Sequence, residues 1–103
     1  MNNLFKNIPN DLKEELFESI IENESFKLEK IISEAHASPP NFWYDQDKRE
    51  FVLLLQGNAQ LSFQDGEIVK LNPGDYFIIE KHRKHRVDWT SAIEKTVWLA
   101  LHY

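Results

Sequence analysis

The sequence predicts an all-β domain, a sandwich or barrel, preceded by one α-helix. Three observations carry this expectation. After residue 26 about seven or eight short apolar segments follow one another, and nearly every gap between them holds Gly, Pro, Asn or Asp. No long helical pattern is interleaved with them, which argues for a sandwich or barrel and against a parallel sheet. Only residues 10–22 carry apolar side chains at helical spacing.

The helix is expected over 10–22. Asn10 can cap its free N–H groups, and Asp11 in the first turn suits the helix dipole. Leu12, Leu16, Phe17, Ile20 and Ile21 then form one apolar stripe, with Glu14, Glu15, Glu18 and Glu22 left to water. Such a helix would pack on the outside of the remaining chain. From residue 26 the period changes. "FKLEKIIS" alternates as a strand, and "SPPN" at 38–41 ends it, because proline cannot continue a ladder.

"EFVLLLQ" is the next strand, and both of its faces are apolar. One face must fill the interior, and the other must be covered by the helix, a second sheet or another subunit. Gly57-Asn58 turns the chain into "AQLSFQ", whose Ala59, Leu61 and Phe63 share a face. Asp65-Gly66 reads as a hairpin with a type I′ turn. "EIVKL", the "NPGD" turn at 72–75, "YFII", "HRVDW" and "TVWLALHY" complete the chain. A chain of 103 residues makes one domain the default, here 1–103, with a helical extension over 1–25 and a β-barrel over 27–103.

Composition narrows the function classes. The formal net charge is −5, and the one basic run, "KHRKHR" at 81–86, is short, so a nucleic-acid binder is not expected. The chain has no cysteine, which removes disulfides, thiolate metal sites and a cysteine nucleophile. "MNNLFKNIPN" lacks a long apolar segment, so no secretory signal is read, and no apolar run reaches the ~20 residues of a membrane span. The expectation is a cytoplasmic protein that engages neither membrane nor nucleic acid.

Three ionisable groups interrupt the apolar strands: Glu50, His85 and His102. An inward His85 brings Val87 and Trp89 to the same face and sends Arg86 and Asp88 to solvent. His102 shares a face with Trp98 and Ala100 and is read as structural. His36 and His82 lie near strand ends, and His82 is read as solvated beside Arg83 and Lys84. The aromatic run 42–44, with Trp89 and Trp98, is read mainly as core, with one or two rings free to line a pocket.

Around Glu50 and His85 the chain resembles a small single-domain cupin, a double-stranded β-helix or jelly-roll barrel. The spacing Glu50-x6-Gly57 matches the second half of that family's first motif, G-x5-H-x-H-x3,4-E-x6-G. In that frame Tyr44 and Gln46 stand where the motif has histidines, and Ser38 stands where it has glycine. Gly74 and His85 match the second motif, G-x5-P-x-G-x2-H-x3-N, with Glu80, His82 and Trp89 at its Pro, second Gly and Asn. The resemblance covers about residues 27–103.

The resemblance implies a small molecule in the barrel cavity, a divalent metal (Mn, Fe, Ni, Zn or Cu), and oxygenase- or isomerase-type chemistry. Glu50 and His85 carry over as metal ligands and as catalytic groups. Gln46 and a recruited His36 are the remaining candidate ligands, and Tyr44 and Trp89 the candidate cofactor-binding rings. A phenol and an amide in place of two imidazoles weaken binding of such metals, since neither is a neutral nitrogen donor. The alternative reading is a metal-free module that binds a sugar or metabolite without turnover. A homodimer is expected from the spare apolar face of "FVLLL" and from family habit.

Overall fold

The computed structural model describes every residue, Met1–Tyr103. Eight strands form it: β1 (Leu16–Glu22), β2 (Lys27–Ser33), β3 (Glu50–Gln56), β4 (Ala59–Phe63), β5 (Ile68–Leu71), β6 (Tyr76–Ile79), β7 (His85–Thr90) and β8 (Thr96–His102). They pair antiparallel into a five-stranded sheet of order β1-β2-β8-β3-β6 and a three-stranded sheet of order β5-β4-β7. The two sheets face each other as a jelly roll. No helix is long and apolar enough to cross a membrane.

The expected helix over 10–22 does not form. Leu16–Glu22 is instead the edge strand β1, paired with β2 from Leu16↔Ile32 to Glu22↔Lys27. The physical reason is backbone satisfaction. Without β1, the free edge of β2 would leave its N–H and C=O groups unpaired, and that tertiary demand overrides a stripe of only a few turns. Phe17, Ile20 and Ile21 also suit a strand, being aromatic or β-branched. A register shift between Ser19 and Ile21 makes Ile20 a bulge, which twists the edge.

The hairpin at Asp65-Gly66 also differs from expectation. A type I′ turn needs positive φ at both central residues. Only Gly66 has it, at 103°, while Gly66 N–H donates to Phe63 O at 2.9 Å and Phe63 N–H donates to Glu67 O at 2.9 Å. The loop is therefore a three-residue connection: a type I turn followed by a left-handed glycine. At the other end of β4, Gly57 is required on two counts. Its φ is 84°, and a Cβ there would lie 2.4 Å from Thr96 Oγ1 and 2.8 Å from Thr96 Cα.

The pleat sorts the residues of β3 and β8. Val52 and Leu54 on β3, with Trp98 and Ala100 on β8, point inward and meet Ala59, Leu61 and Phe63 of the small sheet. Phe51 and Leu53, paired with Leu101 and Leu99, point to the outer face. The core therefore lies between the sheets, and at one end of it the inward residues change from apolar to ionisable.

Candidate functional site

At that end the sheets leave a cavity of about 80 Å³. Its walls are apolar, with Val52, Leu61, Ile79, Val87 and Trp98 among them, and its polar groups are Glu15, Glu29, Tyr44, Gln46, Glu50, His85 and His102. Strand register places these groups. Glu50 opens β3 on the inner face, opposite His102 on β8 and Ile79 on β6. His85 opens β7 on the facing sheet, opposite Phe63.

Glu50 is only 7% exposed and makes no hydrogen bond; its nearest polar partner is His85 Nε2, 3.7 Å from Oε1. That distance is too long for a hydrogen bond. A buried carboxylate without hydrogen bonds is costly. His85 is 5% exposed. Its Nδ1 lies 2.9 Å from Arg83 O. A carbonyl can only accept, so Nδ1 carries a proton, and Nε2 is the ring nitrogen that faces Glu50.

Tyr44 joins the site through the backbone. Tyr44 N–H donates to His85 O at 2.7 Å, and His85 N–H donates to Tyr44 O at 3.1 Å. The two rings stack, with centroids 5.5 Å apart and planes 26° apart. Burial, and then the charges of Glu15 and Glu50, push the Tyr44 phenol above its ordinary value. Gln46 also lines the cavity, and its side-chain Oε1 is buried with no hydrogen-bond partner. Its carbonyl accepts the His82 N–H at 2.7 Å. His82 takes a left-handed backbone, φ 59°, at the position of the motif's second glycine, and its ring pairs with Asp45 at 2.8 Å on the surface.

Two candidate residues are not brought here. The His36 ring lies outside the cavity: Nδ1 accepts the Glu34 N–H at 2.8 Å, and Nε2 lies 3.0 Å from Lys13 O. With both nitrogens engaged it is not a spare ligand. Trp89 is 40% exposed. The expected alternation from His85 through Val87 to Trp89 breaks because β7 slips by one residue against β4: Leu61 faces Val87, but Gln60 faces Trp89. Asp88 is the extra residue, so Trp89 points outward beside it.

Sequence reasoning missed Glu29 and Glu15 and undervalued His102. Glu29, 6% exposed, lies on the inner face of β2, and His102 Nε2 donates to its Oε1 at 2.8 Å. Lys27 Nζ sits 3.4 Å from the other oxygen. Glu15 accepts from Ser33 Oγ, which in turn accepts from Trp98 Nε1 at 3.2 Å. The available signal was that Glu29 is in phase with Ile31 on a strand, a carboxylate on an apolar face.

The donor set can be tested against a metal. Glu50 and His85 supply two ligand atoms, Gln46 offers a neutral amide oxygen, and burial with the charges of Glu15 and Glu50 holds the half-buried Tyr44 phenol away from the phenolate a metal would need. No group of three or more His, Asp or Glu residues converges to hold a metal ion. The residues present therefore do not fit a divalent cation of the family type.

Comparison with known proteins agrees with this geometry at the level of the fold. Residues 31–102 match the family model described as the cupin domain. A solved structure from Ralstonia eutropha JMP134, provisionally named a mannose-6-phosphate isomerase, is 39% identical over 99% of this chain and 95% of its own, with a TM-score of 0.95. A cupin superfamily protein of Desulfitobacterium hafniense DCB-2 is 16% identical over 92% of this chain and 82% of its own, with a TM-score of 0.76. An RmlC-like cupin of Methanocaldococcus jannaschii, with a double-stranded β-helix fold, is 12% identical over 92% and 84%, with a TM-score of 0.71. These last two identities speak for the fold alone. No curated protein matches the chain. With two facing antiparallel sheets, Glu50 and His85 at one cavity, and a match over most of its length, the chain belongs to the cupin-domain family.

Proposed function

We propose that this cupin binds a small molecule in its barrel cavity without a metal ion. The observation that carries the reading is Glu50, buried at the cavity and free of hydrogen bonds, with its Oε1 3.7 Å from His85 Nε2. That separation is longer than a hydrogen bond, so the carboxylate keeps its acceptor capacity. A ligand N–H or O–H supplies the donor. The apolar walls hold the ligand's body.

A second reading adds turnover. Glu50 or His85 would take a proton from the ligand and return it elsewhere, an isomerase-type reaction. The adjacency of carboxylate and imidazole favours it, and so does the name of the Ralstonia relative. An oxygenase reading needs the family's Mn, Fe, Ni, Zn or Cu, for which the donor set does not fit.

The test is elemental analysis of tag-free protein after incubation with each of these metals, beside His85→Ala. The reading expects no stoichiometric metal in either protein, together with ligand-induced thermal stabilisation that His85→Ala loses. Near-stoichiometric metal that disappears in the variant would overturn it.

The same proposal includes a homodimer through the outer face of the five-stranded sheet. Ile78 and Tyr76 are 45% and 64% exposed there beside half-buried Phe51, Leu53, Leu99 and Leu101. A second copy offers the same apolar sheet face, and aligned sheet packing buries both.

A further inference from the structure

We propose that the cavity selects a small organic cation, a primary amine on a short apolar body, and rejects anions. The proposal rests on the reading of the barrel as a ligand site and names the ligand class.

Glu50 is more than nine-tenths buried, lines the cavity, and receives no hydrogen bond on either oxygen. Gln46 Oε1 is buried without a donor. The Tyr44 hydroxyl and the Gln46 amide N–H groups also line the cavity without partners, but they are neutral donors. Charge therefore decides the ligand class more than the number of donors does.

Glu15, Glu29 and Glu50 line the cavity, and no Lys or Arg does. The one lysine paired to them, Lys27, reaches Glu29 from a side chain 41% exposed. The Tyr44 phenol, raised by burial and then by Glu15 and Glu50, reports the same negative field.

The ligand classes can then be ranked. A hydroxyl brings a donor but no charge, so a neutral polyol leaves the buried Glu50 carboxylate uncompensated. An ammonium brings three donors and no acceptor, and its charge compensates the buried Glu50. Phosphate or carboxylate adds acceptors and like charge together. A phosphorylated sugar, the substrate class in the name of the Ralstonia relative, therefore suits this cavity poorly. Val52, Leu61, Ile79 and Val87 supply apolar wall for the body, and a volume of about 80 Å³ limits it to a few heavy atoms.

The experiment titrates four probes at constant ionic strength: n-propylammonium, n-propanol, propionate and inorganic phosphate. Two-dimensional NMR follows the Trp98 indole and the His85 and His102 imidazoles. Propylammonium should shift these resonances saturably and bind about tenfold or more tightly than propanol, with propionate and phosphate weaker still. Glu50→Gln should weaken propylammonium by about tenfold, while exposed Glu24→Gln should leave it unchanged. Dispersed spectra of each variant check folding, and the rank order of probes on the unmodified protein needs no variant.

Propanol, propionate or phosphate occupying the cavity as tightly as the amine would overturn the inference and leave the ligand-site reading standing. So would amine binding that Glu50→Gln does not weaken. If no probe of any charge perturbs the cavity resonances, both fall.

Discussion

The two faces of the five-stranded sheet carry opposite kinds of anomaly. On the inner face Glu29 and Glu50 are 6% and 7% exposed, with His102 between their strands. On the outer face Tyr76 and Ile78 are 64% and 45% exposed. A sheet selected for stability alone would exchange them, because buried charge and exposed apolar area both work against folding. The lesson is that each face carries groups at odds with their surroundings: Glu50 without a hydrogen bond on the inner face, and apolar side chains without a cover on the outer one. In the proposed function a ligand answers the first and a second copy the second.

The largest effect that tests this contrast comes from truncating each face. Leu54, fully buried on the inner side, should lose about 3 kcal/mol on mutation to Ala, whereas Leu53→Ala on the outer side should cost about 1 kcal/mol in the monomer. Urea unfolding below the dimer dissociation range compares them, and equal losses would erase the distinction.

The next effect has the opposite sign. Glu50→Leu should raise stability by about 1 kcal/mol while abolishing ligand binding, the trade expected of an uncompensated functional carboxylate. A large destabilisation would mean that Glu50 has a structural partner.

Asp88 sharpens the comparison, since it is a carboxylate with every partner that Glu50 lacks. Burial pushes its pKa up, but hydrogen bonds from Gln60 and Ser62 and the charge of Arg86 outweigh this and hold it below the ordinary value. A depressed folded pKa contributes stability above the unfolded value of about 3.9, and that stability is lost as pH falls through the folded one. The stability gap between the unmodified protein and Asp88→Asn should therefore be widest near neutrality and close in acid, as urea midpoints between those limits would reveal. A gap that widens in acid would contradict the assignment.

The smallest effect on stability is expected at Ile78→Lys. Light scattering after size exclusion should find monomer in place of dimer, with monomer stability changed by no more than about 0.5 kcal/mol. A dimer that persists would move the interface elsewhere.

Much of the barrel was legible because a strand and its turns leave local marks. β3 and β6 were read at their observed limits, and β4, β5, β7 and β8 differ by one residue at one end. The inward direction of His85 followed from alternation with Arg86. Where alternation failed, the cause was non-local: the one-residue slip of β7 on β4 that turns Trp89 outward, and the pairing that draws residues 16–22 onto the edge of β2 instead of into a helix. Glu50 was legible through its spacing to Gly57, and that spacing has a steric basis in the contact between Gly57 and Thr96. His36, considered as a recruited ligand, lies outside the cavity with its ring on the backbone of Glu34 and Lys13, contacts that no local pattern marks.

By itself the sequence determined the all-β class, the succession of strands β2 to β8, and the pair Glu50 and His85, because period, turn chemistry and motif spacing all act over a few residues. Only the tertiary structure decided that Glu29, seventy-three positions from His102, shares a hydrogen bond and a cavity with it. Strand order sets which residues meet across a sheet, and that order is a property of the whole chain. The same holds for the gathering of Glu15, Glu29 and Glu50 at one cavity, since they come from three separate stretches of the chain.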